Sequence, residues 1–197
     1  MTRSYLASTA VALSAALVLA SPAAAQSPTA NASRAATAPR TNAPALDDAT
    51  IVAIFDAANT ADIETGELAV KRGQSKEVRD FGAMLIRDHT NVRQQGRDLA
   101  KKLGVTPTPP ADDAGAKAHA EAMKMLQTKK GAAFDHAFLQ HEVAFHKSVI
   151  DAVTSTLLPA IKNAEVKDLV VKVAPAFQAH MMAAQSLDDR LSGKSGK

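Results

Sequence analysis

The stretch AFDHAFLQHEVAFHKS, residues 133–148, sets three histidines and two acids among apolar neighbours. Imidazole nitrogen and carboxylate oxygen suit iron, manganese and zinc, so the chemistry turns on which of these side chains converge. At about 100° per residue on a helix, Asp135, Glu142 and His146 share one face, because steps of seven and four return a side chain to nearly the same direction. His136 leaves from another face, and His141 sits at the edge of the apolar stripe. Elsewhere Asp62, His89 and His180 interrupt otherwise apolar stripes. The candidate ligand set is therefore Asp62, His89, Asp135, Glu142, His146 and His180.

An unpaired acid or imidazolium in an apolar interior loses several kcal/mol of solvation, so such groups must pair, bind water or bind an ion. Two readings follow. One is a centre for Fe, Mn or Zn; the other is a satisfied His–carboxylate network that fixes helix register. His136 and His141 read as structural or surface residues, and His119 as solvent-facing. Met84, Met123, Met125, Met181 and Met182 lack a tight repeat and read as core filling rather than a copper site.

The elements that must position these residues are helical. From Asp47 onward the apolar period is that of helices, with almost no strand signal. The first helix is predicted over about Asp47–Arg72, with the acids of "DD" as cap and first turn. Gly73 breaks it, Ser75 caps the second over about Lys76–Leu103, and Gly104 with "TPTPP" ends that one. A short helix is predicted over about Asp112–Lys130, a third long one over about Ala132–Ile161, and a fourth over about Ala164–Leu191. Pro175 inside the last should kink it about one turn before His180. "KEVRDF" at 76–81 and "AEVKDL" at 164–169 each open a helix that leads to a lone histidine, a faint internal echo.

Depth can be read as well as direction. With a turn near Gln74, Asp62 and His89 lie about 12 and 15 residues from it; with a turn near Asn163, His146 and His180 each lie about 17 residues away. At a rise of about 1.5 Å per residue, all four reach a similar level. Four such stripes bury one another best as an all-α, four-helix bundle with a short extra helix in the central crossover. The domain is expected over residues 47–191.

Composition bounds the function. "MTRSYLASTAVALSAALVLASPAAAQS" carries Arg3, a short Ala-rich apolar run and an A-x-A pattern, the form of a secretory signal over residues 1–25 cut between Ala25 and Gln26. The run is short for crossing about 30 Å of hydrocarbon, so a cleaved signal is preferred over an anchor, and no further apolar stretch would span a membrane. A periplasmic or secreted location is expected. Residues 26–46 are Ala, Pro and Ser-rich without a period and read as a disordered tether; 192–197 read as a flexible tail. There is no cysteine, hence no disulfide or thiol chemistry. The formal charge is +3 with scattered Lys and Arg, which disfavours nucleic acid as a partner. Phosphate-cradling glycine loops and nucleophile motifs are missing.

Three separated segments, "NTADIETGELAVKRGQSKEVRDFGAMLIRDHT", "GAAFDHAFLQHEVAFHKSVI" and "APAFQAHMMA", resemble the bacterial family of unknown function numbered 4142, often labelled predicted outer-membrane proteins. The similarity covers about residues 47–190. It implies an exported, ferritin-like domain of undetermined activity; the outer-membrane label finds no support in alternating strands. By position, the family's polar signature falls on Asp62, Asp88-His89, Asp135, Glu142, His146 and His180. This chain has Asp62 where the family usually has Glu, Phe138 for a usual Tyr, and Glu142 for a common Gln. Carboxylate-bridged di-iron bundles use Glu-x-x-His units, but Ile86, Val143 and Phe177 precede the three stripe histidines by three residues.

The expected function is accordingly that of a non-enzymatic envelope or stress-related bundle, with a polar interior capable of holding a metal and with an envelope protein as a candidate partner. The alternative is a metal-dependent oxidoreductase or peroxide- or metal-handling protein.

Overall fold

The computed structural model describes residues 46–193. The expected signal, nearly all of the tether and the last four residues of the expected tail lie outside the described residues. Six α-helices follow in order: α1 (Asp48–Arg72), α2 (Lys76–Leu103), α3 (Ala114–Thr128), α4 (Ala132–Ala152), α5 (Leu158–Ala160) and α6 (Ala164–Leu191). A π-helical turn, Val153–Leu157, joins α4 to α5. No strand is present among the described residues, and no helix there is long and apolar enough to cross a membrane.

The helix starts are set by local chemistry. The Asp47 carboxylate accepts from Thr50 N at 2.8 Å, and Ser75 Oγ accepts from Val78 N at 3.1 Å. Asn163 Oδ1 accepts from Glu165 N and Val166 N. Each side-chain oxygen satisfies a first-turn N–H that has no carbonyl four residues before it. Gly104 ends α2 at φ 66°, a left-handed backbone that favours glycine.

The two hairpins α1–α2 and α4–α6 pack side by side, α1 against α4 and α2 against α6, as a helical bundle. Within the first hairpin, Gly66 and Gly82 let the backbones touch. A Cβ built on Gly82 would lie 2.7 Å from the Gly66 carbonyl oxygen, and one on Gly66 2.8 Å from that of Gly82. This close approach holds α1 and α2 in one register, which matters for the residues they carry inward.

Each turn is also clamped by a carboxylate from another helix. Asp135, at the start of α4, accepts from Gln74 N and Ser75 N, both at 2.8 Å. Asp48, at the start of α1, accepts from Lys162 N at 2.9 Å and Asn163 N at 3.0 Å. The two hairpins are therefore pinned in the same way at their tips.

The third long helix departs from its expected continuous course to Ile161. Pro159 supplies no N–H for the carbonyl four residues earlier. Thr154 Oγ1 takes the Ile150 carbonyl at 2.9 Å, and Ser155 Oγ takes that of Asp151 at 2.5 Å. Hydroxyls that bond back to the ladder loosen it, and the backbone widens into the π turn. Pro175, by contrast, lies inside α6 without ending it.

Two apolar clusters fill the interior. One gathers Val78, Phe81, Leu85, Phe134, Phe138, Leu139 and Leu187; the other gathers Ile51, Val52, Ala100, Leu157 and Val166. Asp62, His89, Glu142, His146 and His180 each fall between these two sets in sequence, whereas Asp135 lies within the first. The polar residues are thus sealed between two apolar plugs.

Candidate metal centre

Five of the six expected residues meet. One ring nitrogen from each of His89, His146 and His180 lies within 4.8 Å of the other two, and Asp62, Glu142 and His146 form a second such trio. His146 belongs to both. Asp62, His89, Glu142 and His146 are at most 1 % exposed, and His180 is 6 % exposed.

Asp135 is the correction. It shares the helical face of Glu142 and His146, but seven residues also carry it about 10 Å along the axis, to the tip of the α1–α2 hairpin. There its two oxygens serve the Gln74 and Ser75 amides. Its role is to hold a turn.

The hydrogen bonds around the imidazoles assign their tautomers. Asn59 Nδ2 donates to the Phe55 carbonyl at 2.8 Å, which aims Asn59 Oδ1 at His89; His89 Nδ1–H donates to that oxygen at 2.9 Å. His146 Nδ1–H donates to the Glu142 carbonyl at 2.9 Å. His180 Nε2–H donates to Asp88 Oδ2 at 3.2 Å. Each ring has spent its one neutral-form proton on an outward acceptor, so each turns a lone pair inward. His89 Nε2 and His180 Nδ1 stand only 3.1 Å apart. Two lone pairs at that distance repel unless a proton or a metal ion lies between them.

Burial disfavours the extra proton. Burial, then the neighbouring imidazoles, pushes His89 down to about 3; burial also takes His146 down to about 4 and lowers His180. Asp88 is held below the usual carboxylate range, chiefly by the Arg87 guanidinium, so it stays ionised and keeps the His180 proton.

The carboxylates carry the complementary problem. Both oxygens of Asp62 and both of Glu142, together with His146 Nε2, are buried without a hydrogen-bond partner among the described residues. Asp62 Oδ2 is 3.4 Å from His89 Nδ1, and Asp62 Oδ1 is 3.8 Å from His146 Nε2. Burial lifts Glu142 to about 7, and burial with the Glu142 charge raises Asp62 well above its ordinary range. Ionised together beside three neutral imidazoles, the two carboxylates would be the charge complement of one divalent cation. The donor set fits such an ion, with orienting acceptors on all three rings in the manner of metal-ligating histidines.

The remaining histidines lie outside this cluster. His136 Nδ1 is 2.5 Å from buried Asp188, and His141 stacks on Phe145. His119, expected in solvent, instead has Nε2 at 2.7 Å from Glu64 and a side chain only 17 % exposed. Asn59 escaped the sequence reading altogether, because a lone Asn on a helix looks like any polar surface residue. Asp88 was visible only through the family resemblance.

No curated protein and no solved structure matches the chain. The family model described as "Domain of unknown function (DUF4142)" matches residues 30–187, most of the chain, and the protein therefore belongs to that family.

Proposed function

We propose that this protein is an exported, ferritin-like helical bundle that holds one divalent first-row transition metal in its interior. His89, His146 and His180 supply nitrogen, and Asp62 and Glu142 supply oxygen and balance the charge. The observation that carries the reading is the set of inward lone pairs, each fixed by an outward hydrogen bond, beside four carboxylate oxygens with no hydrogen-bond partner among the described residues. The mixed nitrogen and oxygen donors of the two trios suit iron, manganese or zinc. Catalysis at a metal needs an open coordination position with access for water or substrate. A cluster buried between two apolar plugs supports holding the ion over turning over a substrate.

The test is elemental analysis of untagged, full-length protein from the periplasm, followed by titration of chelator-treated protein with Mn(II), Fe(II) and Zn(II). One equivalent per chain bound in the micromolar range or tighter is the expected result. Protein isolated without metal that also binds none of the three ions would overturn it. N-terminal sequencing of the same material should begin at Gln26.

A further inference from the structure

Beyond the polar cluster, α1, the end of α4, the π turn and α6 line a cavity of about 330 Å³ that is half open to solvent, with Thr154, Val171 and Gln178 exposed at its mouth. Ile54 and Phe55 form one wall, Val153 and Leu157 of the π turn a second, and Val170 and Phe177 of α6 the third. Among the described residues only Thr154 and Gln178 bring polar side chains to it, and none that is charged lines it. The Thr154 hydroxyl is already spent on the Ile150 and Asp151 carbonyls.

We propose that this cavity binds an uncharged, alkyl-rich small molecule. Its volume is about twice the roughly 150 Å³ of an apolar cavity that admits benzene, and it falls within the roughly 300–1,000 Å³ of small-ligand pockets. Water is a poor occupant, because an ordered water needs two or more polar partners. An ionised ligand would lose its hydration there against no opposite charge. Branched aliphatic side chains dominate the walls, which suits an alkyl chain.

The surface argues against a protein occupant. A docking helix reads a stripe of projecting apolar side chains, but the exposed large hydrophobics Val70, Met125, Val171, Met182 and Leu191 are scattered, and only Val171 of them borders the cavity. The walls also carry two departures from regular helix, the π turn on one side and Pro175 on another. π-helical segments recur at functional sites because the extra residue widens the helix and re-aims its side chains.

The inference is independent of the metal reading, since no lining residue is a candidate ligand. It does place a ligand beside the cluster: the Phe177 ring centroid is 5.2 Å from that of His89 and 5.8 Å from that of His146.

The experiment titrates full-length, chelator-treated protein with N-phenyl-1-naphthylamine, an uncharged fluorescent probe. The chain has no Trp and one Tyr, so intrinsic background is low. Saturable binding of one probe per chain, displaced by 1-decanol, is expected. Ala174→Phe should fill the cavity and weaken binding by roughly tenfold or more, as overpacking does. Ala152→Phe, at an exposed position on the rim, should do the same while the melting temperature stays near wild type. No saturable signal with folded protein overturns the proposal, as does unchanged affinity in the folded variants. Self-association of the wild type that either variant abolishes would overturn it in favour of a second copy.

Discussion

Replacing Glu142 by Gln should stabilise the metal-free protein and weaken the metal-loaded one. Glu142 is fully buried, and its carboxyl is lifted from an ordinary 4.5 to about 7, mainly by burial. For a group raised in the folded state, the stabilising contribution is complete below 4.5 and is lost as pH rises through about 7. A difference of about 2.5 at about 1.4 kcal/mol each amounts to about 3 kcal/mol. The histidines act with the opposite sign. His89 and His146 are depressed to about 3 and 4 from an ordinary 6.5, so the unfolded chain binds more protons and stability falls as pH drops below 6.5. Above about pH 6.5 their contribution is flat, and the carboxylates alone decide the slope.

The assay is thermal unfolding by circular dichroism at several pH values between about 5 and 8.5, with chelator and with excess Mn(II). Near pH 8 without metal, E142Q should melt above wild type by roughly 6–12 °C, taking about 2–4 °C per kcal/mol for a chain of this size. Near pH 5, where Glu142 is protonated, the difference should shrink. With Mn(II) the order should reverse, because the ion offsets the buried charge only when the carboxylate is there to bind it. A metal-free wild type with flat stability from about pH 6.5 to 8.5, or an E142Q that is no more stable near pH 8, would refute the reasoning.

His146→Leu removes the residue common to both trios and should reduce bound metal from one equivalent to none by elemental analysis, with the helical circular dichroism retained. Asp88→Ala removes the acceptor that holds His180; metal affinity measured by competition with a chelator should fall by about 10–100-fold, the usual effect of losing an orienting partner. Asp135→Ala should leave metal affinity unchanged. It should lower stability in urea by about 2–4 kcal/mol, because two backbone amides at the α1–α2 turn lose a charged acceptor.

Much of this architecture was written locally. The breaks at Gly73 and Gly104 and the cap at Ser75 predicted α2 to its ends, because capping is an interaction between residues two or three apart, and the apolar period predicted α6 over Ala164–Leu191. Asp47 caps α1 and Asp48 stands in its first turn, as the paired acids implied. The periodicity also placed His89, His146, His180, Asp62 and Glu142 on inward faces, since direction around a helix depends only on residue count. The π turn was not read, although Pro159 and the run of hydroxyl residues before it were visible; its width reflects several weak competing hydrogen bonds rather than one signal.

What the sequence determined by itself, then, was direction: which residues look inward, and where each helix begins and ends. Rough level could be counted from the turns, but company was decided only in the tertiary structure. Asp135 points the same way as Glu142, yet interhelical packing puts one at a hairpin tip and the other beside His146. The Gly66–Gly82 contact sets how far α1 slides along α2, and with it whether Asn59 and Asp62 meet His89. Such offsets come from the fit of whole surfaces and the lengths of turns, and no periodicity within a single helix encodes them.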